Sequence, residues 1–477
     1  MKTTAYILLA VLSLGAVSCK KELANINKNP NYTENPQPDY LLTATEKLMV
    51  DAYWGVDNNM NSSLLFVQHW AKIQYTDPDF YKFDNSAFDS LWKAGYARGV
   101  TNLNKIISIA EEQNHTNYKG VALTLRSWVF QLLTDAYGDI PYKQAGNIDS
   151  FLTPKYDAQE DVYKGLLDDL KTAQAALDPA GPAVAGDPLY EGDIVSWKKF
   201  TNALRLRIAL RIADRDPDLS KQVLTDIQAE GGVYFEANTD AASLVYKDSP
   251  NQNPVSTIFD TRQDYRISKT IVDRLAALND PRLPVYAQLT DSAPRIYKGV
   301  PNGLQTNDAN NLGLSKTSRP GDYFRAPHAP GVIMSYAEVL FDLSESVARG
   351  FISGNAADLY KQAVTASLNQ YSIDTTAIKT YLLQPSVQYD AGNFKRSIGE
   401  QKWIALFGQG LEAFAEWRRL DYPQLTPAVA SVLKPGEMPV RFIYPGTEQS
   451  LNGANYTKAV EHQGPDELTT KLWFDKN

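Results

Sequence analysis

Residues 118–145 read YKGVALTLRSWVFQLLTDAYGDIPYKQA and decide the fold class of this protein. Between Val121 and Leu132, apolar side chains recur at steps of three and four residues, which places them on one face of a helix. Gly138 and Pro141 then interrupt the pattern, as is usual where a helix ends. The stretch therefore predicts a long amphipathic helix followed by a turn.

The same periodicity recurs along most of the chain and predicts a mainly α-helical fold. The predicted helices are Leu91–Ala110, Tyr118–Tyr137, Ala158–Leu177, Ile194–Ala213, Ser268–Leu278, Val332–Arg349, Ala356–Tyr371, Glu400–Phe407 and Leu411–Leu420. All except Ser268–Leu278 form consecutive pairs in this order. Helix pairs of this size resemble tetratricopeptide repeats, whose period is about 34 residues. Stacked pairs of that kind bury a continuous core and form a curved scaffold.

Long irregular stretches rich in Gly, Pro, Asn and Ser separate the predicted helices. They are Pro179–Gly192, Tyr246–Gln263, Asp291–Pro330 and Ser372–Lys395. Loops of this length inside a compact protein are usually functional or disordered. Because aromatic side chains occur in them, we expect these loops to carry a ligand surface.

The N-terminus predicts export and lipid anchoring. A short positive start and the apolar run AYILLAVLSLGAVS are typical of a signal peptide over residues 1–18, and the run is too short to span a bilayer. Cys19 follows at once and is the only cysteine in 477 residues, so it has no partner for an internal disulfide. A lone thiol at this junction resembles a bacterial lipobox, in which fatty acids such as palmitate modify the cysteine.

Residues 19–38 are rich in Asn, Pro and charge and predict a flexible, lipid-anchored tether. No later segment reaches the ~20 apolar residues of a transmembrane helix, so the lipid anchor alone is expected to hold the protein on its membrane. Residues 39–477 contain no clean linker, and we interpret them as a single helical domain.

The overall composition favours a globular binding protein and argues against nucleic acid as a partner. The formal net charge is −8, whereas nucleic-acid binding requires a basic face. Aromatic residues make up 11% of the chain, and 27 of them are tyrosines. Tyrosine and tryptophan combine an apolar ring with a polar edge, which suits the recognition of sugars and peptides.

The sequence contains no pattern that indicates catalysis or a cofactor. Its histidines, His69, His115, His328 and His462, are far apart and lack the spacing of metal ligands. The glycine motifs of nucleotide sites and the GxSxG motif of hydrolases are missing as well. We expect neither enzyme activity nor a cofactor. The acidic loop segments TDPDFYKFD and TNDANN leave open a structural calcium ion.

Segments spread over nearly the whole mature chain resemble the SusD/RagB family of Bacteroidetes outer-membrane lipoproteins, in its SusD-like branch. In chain order they are NINKNPNYTENPQPDYLLTAT, LWKAGYARGVTNLNKII, ALTLRSWVFQLLTDAYGDIPYKQA, WKKFTNALRLRIALRIAD, YRISKTIVDRLAALNDPRLPVYA, PGVIMSYAEVLFDLSESVARG, EQKWIALFGQGLEAFAEWRRLDYP, VRFIYPGTEQSLNGANY and TKLWFDKN. Their common order carries more weight than any single segment. One departure is LSESVARG, where the family more often has LAEAxxRG.

The resemblance implies a right-handed superhelix of tetratricopeptide-like hairpins, with the ligand bound on the long loops. It further implies a cell-surface lipoprotein of the outer membrane that captures a glycan and delivers it to a SusC-like TonB-dependent porter. Three alternatives remain open. They are a peptide or other nutrient as cargo for the same porter, a helical glycoside-processing enzyme, and a repeat adaptor that binds only protein.

The ligand surface is expected among aromatic side chains outside the periodic helix faces, because sugars stack their C–H faces on such rings. The candidates are Trp54, Trp70, Tyr75, Phe80, Tyr81, Arg262, Tyr265, Tyr323 and Phe324. Charged residues within the helices, among them Arg207, Glu338 and Glu416, are expected to form buried pairs that fix helix register.

Overall fold

A computed structural model describes residues 36–147 and 150–476 and shows a mainly helical protein. The predicted signal peptide (1–18), the lipidation residue Cys19 and most of the predicted tether (19–38) lie outside the described residues. The α-helices are α1 (Pro38–Trp54), α2 (Leu64–Phe66), α3 (Asp89–Lys93), α4 (Thr101–Glu112), α5 (Thr116–Tyr137), α6 (Gln159–Ala176), α7 (Ile194–Arg211), α8 (Pro217–Ala229), α9 (Pro254–Phe259), α10 (Lys269–Ala277), α11 (Leu283–Tyr286), α12 (Thr306–Leu312), α13 (Asp322–Arg325), α14 (Tyr336–Ala348), α15 (Ala356–Asn369), α16 (Thr375–Leu382), α17 (Phe394–Ala405), α18 (Gly410–Leu420), α19 (Gly446–Leu451) and α20 (Gly453–Gln463).

Short non-α elements complete the fold. The strands β1 (Trp70–Lys72) and β3 (Tyr265–Ile267) pair antiparallel, as do β2 (Ala242–Leu244) and β4 (Gly331–Met334). Two segments, Val56–Ser63 and Ala94–Val100, have π-helical geometry. Single 3₁₀ turns occur at Asp77–Phe80, Asn238–Asp240, Leu314–Lys316, Ala391–Asn393 and Trp473–Asp475.

The helices share one contiguous apolar core. It extends from Leu42 in α1 to Phe474 near the C-terminus, and its largest rings include the fully buried Trp128 and Trp197. Both tryptophans lie on the apolar faces that the sequence periodicity predicts. Within residues 36–147 and 150–476, each helix is too short or too polar to cross a lipid bilayer.

The predicted helix pairs are confirmed. α4 packs against α5, α6 against α7, α14 against α15, and α17 against α18. α5 also packs extensively along α6, so the first two pairs join into one stack. The mainly helical, repeat-like fold expected from the sequence is therefore correct.

Two predicted helices differ in detail. The segment 91–110 is interrupted by a π turn, in which Gly95 and Gly99 lie close to neighbouring helices. A Cβ atom on Gly99 would lie only 3.0 Å from Met49 Sδ of α1. The predicted helix 332–349 begins instead as strand β4, and the helix starts after Ser335, whose hydroxyl caps it by accepting from the Glu338 N–H.

Several helices were not predicted, among them α1, α8, α9, α12, α13, α16, α19 and α20. α9 lies in the stretch 246–263, and α12 and α13 lie in the stretch 291–330, both of which were predicted to be irregular. α16 lies inside the stretch 372–395 that was predicted to be a loop, and α17 begins there too. α8 carries a readable start signal, since Asp216 caps it and Pro217 occupies its first turn. Its apolar face is short, however, so periodicity alone gives a weak indication.

Candidate functional site

The structure corrects the predicted ligand surface at six positions. Trp54, Trp70, Phe80, Tyr81, Tyr265 and Phe324 are all buried. They pack within the core, as when the Trp54 indole N–H donates to the Val332 carbonyl. Aromatic rings of this size are buried more often than exposed, because burial removes a large apolar area from water. In this structure these six side chains therefore have a packing role.

Tyr75 is the exception, because 70% of its surface is exposed. Its backbone adopts the left-handed conformation, with φ of 52°, which is uncommon for a residue with a side chain. The Arg262 guanidinium lies 5.7 Å from the centre of the Tyr75 ring, within the range of a cation–π contact. The local fold thus presents one aromatic face to solvent and supports it from one side.

Arg262 is itself held in place by a chain of buried contacts. Its guanidinium forms two hydrogen bonds to Asp264, at 2.9 Å and 2.6 Å, and Asp264 in turn pairs with the Lys72 ammonium at 2.8 Å. The Lys72 ammonium also lies 4.4 Å above the ring centre of Tyr265. These contacts connect the exposed Tyr75 to strands β1 and β3. We call Lys72, Asp264, Arg262 and Tyr75 the charge ladder.

Within the charge ladder, Lys72 and Asp264 form an ion pair in spite of their burial. Burial raises the pKa of Asp264, but the hydrogen bond from Arg262 and the charge of Lys72 together lower it below its usual value. Burial lowers the pKa of Lys72, which Asp264 partly offsets. The fixed alternation of charge keeps Arg262 in one orientation beneath Tyr75.

A polar cleft of about 530 Å³ lies next to the charge ladder. It is lined by Asp57, Asn61, Asp77, Pro78, Lys82, Phe83, Asp84, Ser86 and Ala87. Asn61 connects the two features, because its Oδ1 accepts hydrogen bonds from the Tyr265 hydroxyl at 2.7 Å and from the Lys72 ammonium at 3.1 Å. Carboxylates, an amide and an ammonium group thus surround the cleft beside an exposed ring.

A second cleft of about 360 Å³ contains the candidate Tyr323. It lies in the predicted functional loop 291–330 and the segment before it, with Tyr297, Arg295 and Arg319 in its lining. Tyr323 is partly buried and packs edge-to-face on Phe324, with ring centres 5.1 Å apart. The structure does not bring Tyr323 into the cleft beside Tyr75.

Sequence reasoning missed the polar lining of the first cleft. Asp57 and Asn61 belong to the polar run VDNNMNSS, residues 56–63, which directly follows the apolar face of α1. The run is a signal for polar contacts rather than for exposure, since Asn58, Asn59 and Ser63 are buried within it. Its proximity to Tyr265, more than two hundred residues later in the chain, has no sequence signal.

Neither acidic loop segment brings three carboxylates within reach of one ion in the part of the chain that the structure describes. Within it, the only three acidic, histidine or cysteine side chains close enough to share an ion are Asp342, Glu345 and Glu416. These carboxylates are buried in the core, where Lys402 and Arg419 already neutralise them. In the segment TDPDFYKFD, Asp77 pairs with Lys82, and Asp79 accepts the backbone N–H of Lys72.

The helical-repeat scaffold, with an exposed aromatic ring beside a polar cleft, has the features of a ligand-binding protein. The sequence model of the SusD-like family described as "Starch-binding associating with outer membrane" matches residues 30–445. The chain therefore belongs to this family of surface glycan-binding proteins. No curated protein sequence matches the chain significantly.

Solved structures agree with this assignment. A protein described as a chitin-binding protein is 31% identical, with a TM-score of 0.84, and the match covers 92% of this chain and all of that one (100%). A SusD homologue from Bacteroides fragilis is 25% identical, with a TM-score of 0.79 and coverage of 93% and 100%. A chitin-binding SusD homologue from Flavobacterium johnsoniae, 24% identical with a TM-score of 0.82 and coverage of 91% and 99%, shares the fold.

Proposed function

We propose that this protein captures a glycan at the cell surface and delivers it to a SusC-like TonB-dependent transporter of the outer membrane. Family membership over residues 30–445 supports the class of activity. The observation that supports a particular binding site is Tyr75. Its backbone is in the left-handed conformation, its ring is exposed, and it lies over Arg262 beside the polar cleft.

The chemistry of this site suits a sugar. One face of the Tyr75 ring stacks against the C–H groups of a pyranose. Arg262, on the other face, holds the plane of the tyrosine ring. Asp57, Asn61 and Lys82 provide acceptors and donors for hydroxyl groups. A single stacking ring with an open cleft gives modest affinity, which allows release into a transporter.

The first ligand to test is an oligosaccharide of β-linked N-acetylglucosamine, because the relative at 31% identity is described as chitin-binding. Starch oligosaccharides are the second, because the family description names starch. A peptide cargo is the alternative outcome of the same measurement. Tyr323 and its cleft are a second candidate subsite on the loop 291–330.

Calorimetric titration of the Tyr75→Ala variant tests the site. We expect the affinity for the bound oligosaccharide to fall about two- to tenfold, because the loss of an aromatic stacking contact costs roughly 0.5–1.5 kcal/mol. Tyr40→Ala is the matched control, since Tyr40 is 74% exposed but lies at the N-terminal end of α1, whereas the cleft residues Asp57 and Asn61 follow the C-terminal end of that helix. Unchanged affinity in Tyr75→Ala, or an equal loss in both variants, contradicts the proposed site.

The proposal includes residues 39–477 as one binding domain, held by an acylated Cys19 through the tether 19–38. It requires no cofactor and no catalytic step, so purified protein is expected to leave oligosaccharides uncleaved and to bind them equally well after chelation of calcium.

Recovery of the protein in the outer-membrane fraction, and its loss from that fraction in Cys19→Ser, tests the anchor. Co-purification with a TonB-dependent barrel tests the partner.

A further inference from the structure

A cavity of about 330 Å³ lies near the C-terminus, between the start of α6 and the helix α20. It is lined by Asp139, Lys155, Tyr156, Ala158, Asn455, Lys458, Ala459 and His462. None of these residues lines the cleft beside Tyr75. Its volume lies at the lower end of the range of small-molecule sites, which is about 300–1,000 Å³.

A histidine is held in a fixed orientation at this cavity. His462 Nδ1 lies 2.7 Å from Asp139 Oδ2, and the other oxygen of Asp139 accepts the backbone N–H of Gln159 at 2.8 Å. Asp139 is buried, whereas 64% of the His462 side chain is exposed. The buried carboxylate therefore orients the ring and favours a proton on Nδ1. His462 Nε2 has no hydrogen-bond partner within residues 36–147 and 150–476.

Two lysines bring positive charge to the same cavity. Lys155 and Lys458 are both exposed, and neither forms an ion pair with any residue that the structure describes. The N-terminus of α6, which carries a partial positive charge, begins one residue after the lining residue Ala158. The one carboxylate in the lining, Asp139, is already engaged by His462 and Gln159.

The remaining polar side chains of the lining, Tyr156 and Asn455, already have hydrogen-bond partners. The Tyr156 hydroxyl donates to Glu448 at 2.6 Å, and the Asn455 amide donates to the carbonyl of Thr153 at 3.0 Å. The lining contains no serine, threonine or cysteine that His462 could activate. The arrangement thus offers cationic donors but no hydroxyl or thiol for His462 to activate.

We propose that this cavity binds an oxyanion, either a carboxylate or a phosphate, on a ligand of monosaccharide size. Lys155 and Lys458 supply charge-assisted hydrogen bonds, and His462, which Asp139 orients through Nδ1, presents Nε2 to the ligand. This second site goes beyond glycan capture at Tyr75 and does not rest on it. It would give the protein a preference for acidic sugars or sugar phosphates.

Calorimetric titration of the purified protein with glucuronate, glucose 6-phosphate and glucose tests the proposal. We expect one or both anionic sugars to bind at one site per chain, and glucose to bind at least tenfold more weakly. The double variant Lys155→Gln/Lys458→Gln, with its fold checked by circular dichroism, should lose about tenfold in affinity for the anionic sugar. His462→Gln should weaken binding in the same direction.

Lys143→Gln is the matched control, because Lys143 is similarly exposed but faces Asp157 at 3.7 Å and does not line the cavity. Binding of only one of the two anions supports the proposal and identifies the oxyanion. Failure of both to bind, equal binding of glucose, or an equal loss in Lys143→Gln overturns it. Tyr75→Ala should leave this binding unchanged, which separates a failure here from a failure of the glycan site.

Discussion

Asp214 joins the end of α7 to two other elements through charge. Its carboxylate accepts from Arg349, just after α14, at 2.8 Å and from Lys395 in α17 at 2.9 Å. Burial by itself raises the pKa of Asp214. The two cations have the larger, opposite effect, and together they lower the pKa to about 2. Because the folded pKa lies below the unfolded value, the ionised carboxylate stabilises the fold above about pH 4, and this contribution is lost as the pH falls towards 2.

The variant Asp214→Asn is therefore expected to lower the free energy of unfolding at pH 7 by about 1–2 kcal/mol. The difference from the unmodified protein should shrink as the pH falls from 4 to 2, because protonation removes the same charge in the parent chain. Urea unfolding at several pH values measures both effects. A stability difference that does not change with pH would show that the charge of Asp214 contributes nothing.

At the scale of single residues, sequence reasoning found the exposed ring but could not separate it from its neighbours. Tyr75 and Tyr81 lie in the same aromatic-rich segment and both adopt left-handed backbone conformations. Tyr81 is buried, and its hydroxyl accepts the backbone N–H of Ala428, whereas Tyr75 faces solvent. A partner more than three hundred residues away decides this difference, and local sequence contains no trace of it.

Among the elements, α5 depends on a glycine for its close packing. Gly120 lies in the first turns of α5, and a Cβ atom at this position would lie 2.7 Å from Leu177 Cγ and 3.1 Å from the Ala173 carbonyl oxygen. The close packing of α5 against α6 therefore requires a residue without a side chain here, although glycine lowers helix propensity.

We expect Gly120→Ala to lower the free energy of unfolding by about 1–3 kcal/mol, because overpacking outweighs the gain of about 1 kcal/mol in helix propensity. Gly453→Ala is the control, since Gly453 begins α20 and has open space around its Cα. That substitution should be neutral or slightly stabilising. Chemical denaturation of both variants makes the comparison, and a stabilised Gly120→Ala would contradict the packing argument.

The existence and type of the long helices were predictable because their apolar faces repeat over several turns. The periodicity in α5, α6 and α7 gave their ends to within a few residues. It failed for β4, whose buried run Gly331–Met334 is continuous with the following helix in hydrophobicity. A short apolar run fits a buried strand or a helix equally well, and only pairing with β2 distinguishes them.

Across the whole molecule, a buried ionic cluster connects the helices of the core. Arg211 of α7 lies 2.5 Å from Glu416 of α18, which also contacts Lys402 of α17 at 2.7 Å. Lys402 pairs in turn with Asp342 of α14 at 2.5 Å. Arg207 and Glu338, which were both expected to form buried charge pairs, lie 2.7 Å apart and belong to the same cluster.

The substitution Lys402→Met is expected to destabilise the protein by about 3–5 kcal/mol, because it leaves Asp342 and Glu416 buried beside each other with less positive charge. Lys164→Met removes the exposed pair with Glu160, whose side chains are 42% and 43% exposed, and should change stability by about 0.5 kcal/mol or less. Thermal and urea unfolding compare the two. Similar small losses in both would show that the buried cluster is not needed for stability.

The sequence by itself determined the helical class, the helix pairs and the family, because these follow from periodicity and from ordered segments within the chain. It also predicted the export signal and the lipid anchor, which depend on local composition alone. Only the tertiary structure decided which aromatic rings face solvent and which residues meet in the three cavities. Tyr75 joins Arg262, and Lys155 joins His462, only when distant segments pack together, since burial and electrostatic contact are properties of the folded chain.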